Sequence, residues 1–245
     1  MSVNIAIPMR ITPNEIRKLG QNFCSLLKSI LLPLTFYKSY AIISLLSKIN
    51  PKVVKIALRN KEILMKEFIY NEMMVHVGVC TNKNPENVLI ISENAAGFVT
   101  EMQKHDGISC DVISPNINLL RDAKDATYDV VITEMDADAA VLAHYNRVLK
   151  EDGLLVTTIP SLDETQENKQ IMEILGKYTK VIMPFHVGGD KLSLLASKEY
   201  HPTADVILHR TDMLNGLEYY NCDVHVGSFA MGNHIRKEYL GIIKN

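Results

Sequence analysis

Beyond residue 66 the chain alternates short apolar runs with longer amphipathic stretches, and these two periods set the expected elements. Asn87–Ser92 (NVLIIS) reads as a buried strand. Ala96–Lys104 reads as a helix that Gly107 ends, and Ile108–Ser114 (ISCDVIS) as a second strand stopped by Pro115. Tyr128–Thr133 (YDVVIT) is a third strand, followed by a helix over Asp138–Leu149 with Ala140, Leu142 and Val148 among its apolar positions. Asp152-Gly153 is expected to turn the chain into Leu154–Ile159. A helix over Thr165–Lys177 and a strand over Lys180–Pro184 complete the series. Such alternation predicts an α/β architecture, a mostly parallel sheet covered by helices. In folds of this kind ligands sit beyond the carboxyl ends of the strands, so the residues just after each strand are the candidates.

Residues 1–65 read differently. The runs Ser39–Leu46 (SYAIISLL) and Lys52–Leu58 (KVVKIAL), separated by Asn50-Pro51, suggest a small N-terminal β domain, leaving 66–245 as the main domain. Phe23–Leu46 is apolar, but Lys28, Pro33 and Lys38 interrupt it before it reaches the ~20 residues a membrane span needs. A cytoplasmic protein without a membrane partner is therefore expected. The 26 basic and 28 acidic residues give a net charge of −2, without the basic footprint of a nucleic-acid binder. Cys24, Cys80, Cys110 and Cys222 are widely separated and read as free thiols of a reducing compartment. No metal is expected, because no HxH, HExxH or CxxC spacing occurs. Walker and GxSxG patterns are also missing, which argues against P-loop and α/β-hydrolase chemistry.

Three strand ends carry the candidate chemistry. After the first comes Ser92-Glu93-Asn94-Ala95-Ala96-Gly97, a loop with a single glycine, which fits a ligand turn no better than an ordinary connection. After the second, Ser114-Pro115-Asn116 offers no carboxylate for a ribose. After the third, Glu134-Met135-Asp136-Ala137-Asp138 places three carboxylates in five residues. Such a cluster binds a cationic amine or accepts a proton; alternatively Asp136 or Asp138 caps the helix that follows.

Two longer segments point further. Glu67–His76 (EFIYNEMMVH) resembles the DEF-x-Y-x-EM-x-x-H pattern that opens the catalytic domain of the spermidine synthases, with Lys66 in place of its Asp. Tyr219–Met231 (YYNCDVHVGSFAM) is similar to the C-terminal YYN segment of that family. Pro184–Gly189 (PFHVGG) and Leu149–Gly153 (LKEDG) are weaker echoes of its PTYxGG and LKEDG segments. The resemblance implies a methyltransferase-like Rossmann fold, a doubly wound sheet preceded by a small N-terminal β domain. It further implies an aminopropyltransferase of polyamine biosynthesis. An aminopropyl group would pass from decarboxylated S-adenosylmethionine, a co-substrate rather than a permanently bound cofactor, to putrescine. The products would be spermidine and methylthioadenosine, and the protein a homodimer or homotetramer.

The resemblance assigns roles one residue at a time. Tyr70 matches the family tyrosine lining the amine and donor pocket, and Glu134 matches the first aspartate of the catalytic DxxD. The second aspartate falls near Asp136 or Asp138. Glu134, Asp136 and Tyr70 are thus the catalytic candidates, and Asp138, His76, His186 and Tyr219 the substrate-binding ones. Glu93, Asn94 and Asn116 are the nearest polar substitutes in the donor-binding loops. Glu72, Tyr220 and His225 also lie in matched motifs, and the paired tyrosines fit packing as well as binding. The family's GGGDGG loop reads SENAAG, its ribose acid reads Pro115 or Asn116, and His186 replaces the PTY tyrosine. The chain is also shortened between Ser114 and Tyr128, where the family has another helix and strand. These departures motivate the alternative, a catalytically inactive relative that binds a polyamine or a protein partner.

Overall fold

The computed structural model describes residues 67–245 apart from Ala137 and Asp190, all within the compact unit Ile63–Asn245. The expected N-terminal β domain and the apolar stretch Phe23–Leu46 lie outside the described residues. Among the described residues no helix is long and apolar enough to cross a membrane.

A helix, α1, covers residues 67–81. There follow β1 (Asn87–Ile91), α2 (Ala96–Met102), β2 (Ser109–Ile113), α3 (Ile117–Asp122), β3 (Tyr128–Thr133), α4 (Ala139–Val148) and β4 (Leu149–Thr158). The chain then forms α5 (Thr165–Leu175), a hairpin of β5 (Val181–His186) and β6 (Leu192–Ser197), and the short helices α6 (Leu208–Met213), α7 (Cys222–Ser228) and α8 (Asn233–Glu238). The six strands lie in the order β2-β1-β3-β4-β6-β5. The first four strands in that order pair in parallel, and β6 runs antiparallel to both β4 and β5.

Strand periodicity explains the two-sided core. Val88 and Ile90 face one layer with α1, while Leu89 and Ile91 face the other with α3, α4 and α5. On the first face, Met73, Met74, Val77 and Phe98 are essentially buried. Each such side chain contributes about 1.5–3 kcal/mol relative to remaining in water. Gly78 allows α1 to approach closely, since a Cβ there would lie 2.9 Å from a Val156 methyl. On the second face, Leu142, Tyr145 and Met172 are fully buried. The helix α1 runs opposite to β3. Tyr70, near its start, reaches Glu134 just past the carboxyl end of that strand, while Asn82 donates to the Asp129 carbonyl near the strand's other end.

The expected turn at Asp152-Gly153 is instead part of β4. Tyr128 pairs with Leu149 and Val130 with Leu154, so the extra residues form an irregularity within a continuous strand. Buried Asp129 anchors it by accepting the Lys150 ammonium at 2.9 Å. Between β2 and β3 the chain makes one helix and no strand, and β2 therefore ends the sheet among the described residues.

Candidate active site

The parallel register of β1 and β3 places Ile91 opposite Thr133. The next residues, Ser92 and Glu134, consequently emerge side by side at the carboxyl edge of the sheet. The Glu134 N–H donates to the Ile91 carbonyl at 3.0 Å, carrying the strand pairing one step further. Below it, the Thr133 hydroxyl accepts the Met135 N–H and bonds the Tyr145 hydroxyl, both at 3.0 Å, fixing the turn that carries the carboxylates.

Two hydroxyls converge on Glu134. Tyr70, one helical turn into α1, donates to Oε1 at 2.8 Å, and Ser92 donates to Oε2 at 2.5 Å. Each oxygen keeps a further lone pair, so the carboxylate can still accept from an ammonium or amine. Burial, reinforced by the charge of Glu134 and the hydrogen bond to it, pushes the Tyr70 hydroxyl far up, so this phenol donates and does not titrate near neutrality. Its ring packs against Phe98, with centroids 5.8 Å apart, and carries the Lys191 ammonium at 4.6 Å from its centroid.

Tyr70 and Glu134 line a cleft of about 420 Å³ together with Thr158, Ile159, Ser161, Lys191 and Leu192. A larger cleft of about 710 Å³ shares Thr158 and Ile159 with it. The larger cleft has an apolar lining of Ile117, Met135, Val141 and Ile171, with Asp136, Asp138 and Glu167 among its polar residues. Asp138 also caps α4, accepting the Val141 N–H at 2.8 Å, so the capping alternative holds for that residue. Asp136 and Asp138 add to burial in raising the Tyr145 hydroxyl to about 12, although the Thr133 hydrogen bond acts the other way.

The other candidates lie outside both clefts. His76 is fully buried midway along α1, its Nε2 on Glu101 and its Nδ1 on His105, each at 2.9 Å. His186 is exposed at the end of β5. Tyr219 has a 38 % exposed side chain, and its N–H donates to Glu72. Glu93 and Asn94 are exposed in the turn after β1. Asn116 caps α3 by accepting the Asn118 N–H at 2.8 Å. The single loop glycine, Gly97, makes room for protein: a Cβ there would sit 2.2 Å from the Asn71 amide. Ser92 and Lys191 went unassigned in the sequence because their importance depends on strand register and on the β5–β6 turn, which apolar periodicity does not report.

Residues 67–113, from α1 through β2, match the model of the spermine/spermidine synthase domain. The polyamine aminopropyltransferase of Helicobacter pylori (strain G27) is 25% identical over 222 residues, covering 78% of this chain and 85% of the relative. That of Clostridium beijerinckii is 26% identical over 226 residues, covering 72% and 79%. Over most of its length the chain is similar to polyamine aminopropyltransferases. Spermidine synthase from Thermotoga maritima superposes with a TM-score of 0.62 at 24% identity, covering 70% of this chain and 74% of that one. A spermidine synthase in complex with the transition state analogue AdoDATO gives the same TM-score at 22% identity, covering 70% and 75%. The fold is therefore the methyltransferase-like Rossmann fold of the spermidine synthases. The aminopropyltransferase-like segment Tyr219–Met231 lies beyond the matched 67–113, yet it is physically joined to it. Glu72 accepts the N–H groups of Glu218, Tyr219 and Tyr220 at 2.8–2.9 Å, and Tyr220 donates to His225 at 2.7 Å.

Proposed function

We propose that the chain transfers an aminopropyl group from decarboxylated S-adenosylmethionine to putrescine, yielding spermidine and methylthioadenosine. The observation that carries this reading is the Glu134 carboxylate, oriented by Tyr70 and Ser92 at the mouth of the sheet in a relative of the aminopropyltransferases. Putrescine in water is a dication, and its attacking nitrogen must lose a proton before it has a lone pair to use. Glu134 is placed to hold that end of the amine and to accept the proton. The neutral nitrogen then attacks the carbon next to the sulfonium. The new C–N bond forms as the C–S bond breaks, its electron pair returning to sulfur as a neutral thioether; the product nitrogen leaves as a secondary ammonium, and Glu134 releases to solvent the proton it took. The sulfonium activates its own carbon, so the chain's task is to align three atoms and manage a proton.

The larger cleft suits the donor, since its apolar lining fits a nucleoside and Asp136, Asp138 and Glu167 complement a sulfonium bearing an ammonium. Asp138 would combine this with capping α4. The test is incubation with decarboxylated S-adenosylmethionine and putrescine, with methylthioadenosine and spermidine read by mass spectrometry. Glu134→Gln is expected to lower turnover by about 10²-fold or more, the size of a general-base contribution. Folded wild-type protein giving no product with putrescine, cadaverine or spermidine would sink the assignment.

A further inference from the structure

Lys191 belongs to no motif read from the sequence, yet the turn that carries it is built against the start of α1. Val187 donates to the Lys191 carbonyl at 3.1 Å, and Lys191 donates back to the Gly188 carbonyl at 3.2 Å. Gly188 has φ +100° and Gly189 φ +58°, backbone that L side chains rarely adopt. A Cβ on Gly188 would lie 2.4 Å from an Ile69 methyl, so the turn is pressed against the residue preceding Tyr70. The side chain of Lys191 extends from this seat over the Tyr70 ring and lines the smaller cleft with Glu134. Among the described residues that line it, the cleft thus has one carboxylate and one ammonium. A cation lying on an aromatic face is held by the ring's negative quadrupole and has a reason to stay there.

The charge pattern has a consequence for the acceptor. An α,ω-diamine with one nitrogen on Glu134 carries its second positive charge a few ångströms away, in a cleft that Lys191 also enters. Like charges in a partly desolvated site repel strongly. An acceptor whose far end is neutral or anionic meets no such opposition, and an anionic end would be attracted.

We propose that Lys191 is a charge filter on the acceptor cleft, weakening the hold on short diamines and favouring amines whose far end is neutral or anionic. The inference rests on the aminopropyltransferase reading for its site and adds a residue that sets acceptor choice. The test compares wild type with Lys191→Met and Lys191→Arg, using putrescine and 4-aminobutanoate in two assays, steady-state transfer and calorimetric binding. Lys191→Met is expected to lower the KM and Kd for putrescine about tenfold and to raise those for 4-aminobutanoate. Lys191→Arg, which keeps the charge, is expected to preserve the wild-type ranking. A Met variant that leaves the ratio of the two ligands unchanged, including one that shifts both equally, overturns the filter, because a merely structural lysine would act on both alike. Absence of transfer in every protein, with the binding ratio still inverted in Lys191→Met, would overturn the transfer reaction and leave the filter standing. Transfer with no change in ratio does the reverse.

Discussion

Glu134 is the residue on which the candidate chemistry turns, and what surrounds it is a pair of neutral hydroxyl donors. Those donors fix the direction of the carboxylate without cancelling its charge, which suits a group that must hold a cation and then take its proton. Ser92→Ala is therefore expected to lower kcat about tenfold while the melting temperature changes by a few degrees at most, because one small hydroxyl is removed from a buried but well-packed position. Tyr70→Phe should lower it further, since the ring remains beneath Lys191 while Oε1 loses its donor. Steady-state assays paired with thermal melts check both, and an unchanged kcat in the two variants would remove orientation of Glu134 from the mechanism. Glu134 was legible from its place in the acidic run after the third strand, whereas Tyr70 was legible only through a long motif, since a tyrosine and a carboxylate 64 residues apart have no periodic relation. Ser92 was legible in principle to anyone who knew that β1 and β3 were neighbours. His76, read from the same motif as Tyr70, is fully buried and bonded to Glu101 and His105, away from both clefts.

At the level of elements, the two family-like segments turn out to be one interaction. The fully enclosed Glu72 of α1 accepts three successive backbone N–H groups from the stretch leading into α7. Asn221 then caps α7 by accepting the Val224 N–H. A carboxylate used in this way substitutes for a helix or strand partner that the segment lacks. Glu72→Ala strands three donors, each costing about 1–3 kcal/mol when left unmade. A loss of about 3 kcal/mol or more is expected in urea unfolding, whereas Glu72→Gln, which keeps one acceptor oxygen, should lose less. The same comparison shows which elements a sequence reveals. β1, β2, β3 and α4 were readable because apolar runs and caps coincide. The β4 irregularity was not, because Asp-Gly ordinarily marks a turn. The helices α6, α7 and α8 span six or seven residues each, too short for a 3.6-residue period to emerge, and tertiary bonds such as Arg210 to the carbonyls of Val79 and Asn82 define them instead.

Across the whole molecule, the buried histidines tie the layer formed by α1, α2 and α7 to pH. His76 bonds Glu101 and His105, while His225 accepts from Tyr220 through Nδ1 and, through Nε2, donates to the Pro202 carbonyl. Burial is the chief cause that lowers all three histidines below the ordinary 6.5: His105 to about 3, His225 to about 4, and His76 against the opposing pull of Glu101. Burial alone would raise Glu101, but its hydrogen bonds to His76 and Lys104 hold it below the ordinary 4.5. A histidine with a lowered folded pKa binds fewer protons in the native state than in the unfolded one once the pH drops under 6.5. The native state is then progressively disfavoured, by up to about 1.4 kcal/mol per pH unit for each histidine, until the folded pKa is reached. The carboxylate acts in the same direction but later, below 4.5. Stability is accordingly expected to be level above pH 7 and to fall steeply below pH 6.5, the histidines acting alone until about pH 4.5. Urea unfolding at half-unit pH steps measures the slope directly. His225→Gln, which has an amide to replace the imidazole's donor and acceptor, should be less stable at pH 7 yet lose about one proton's worth of that slope. A stability that stays level from pH 7 to 5 would mean that these histidines are protonated in the folded chain, and the neutral network joining α1, α2 and α7 would have to be redrawn.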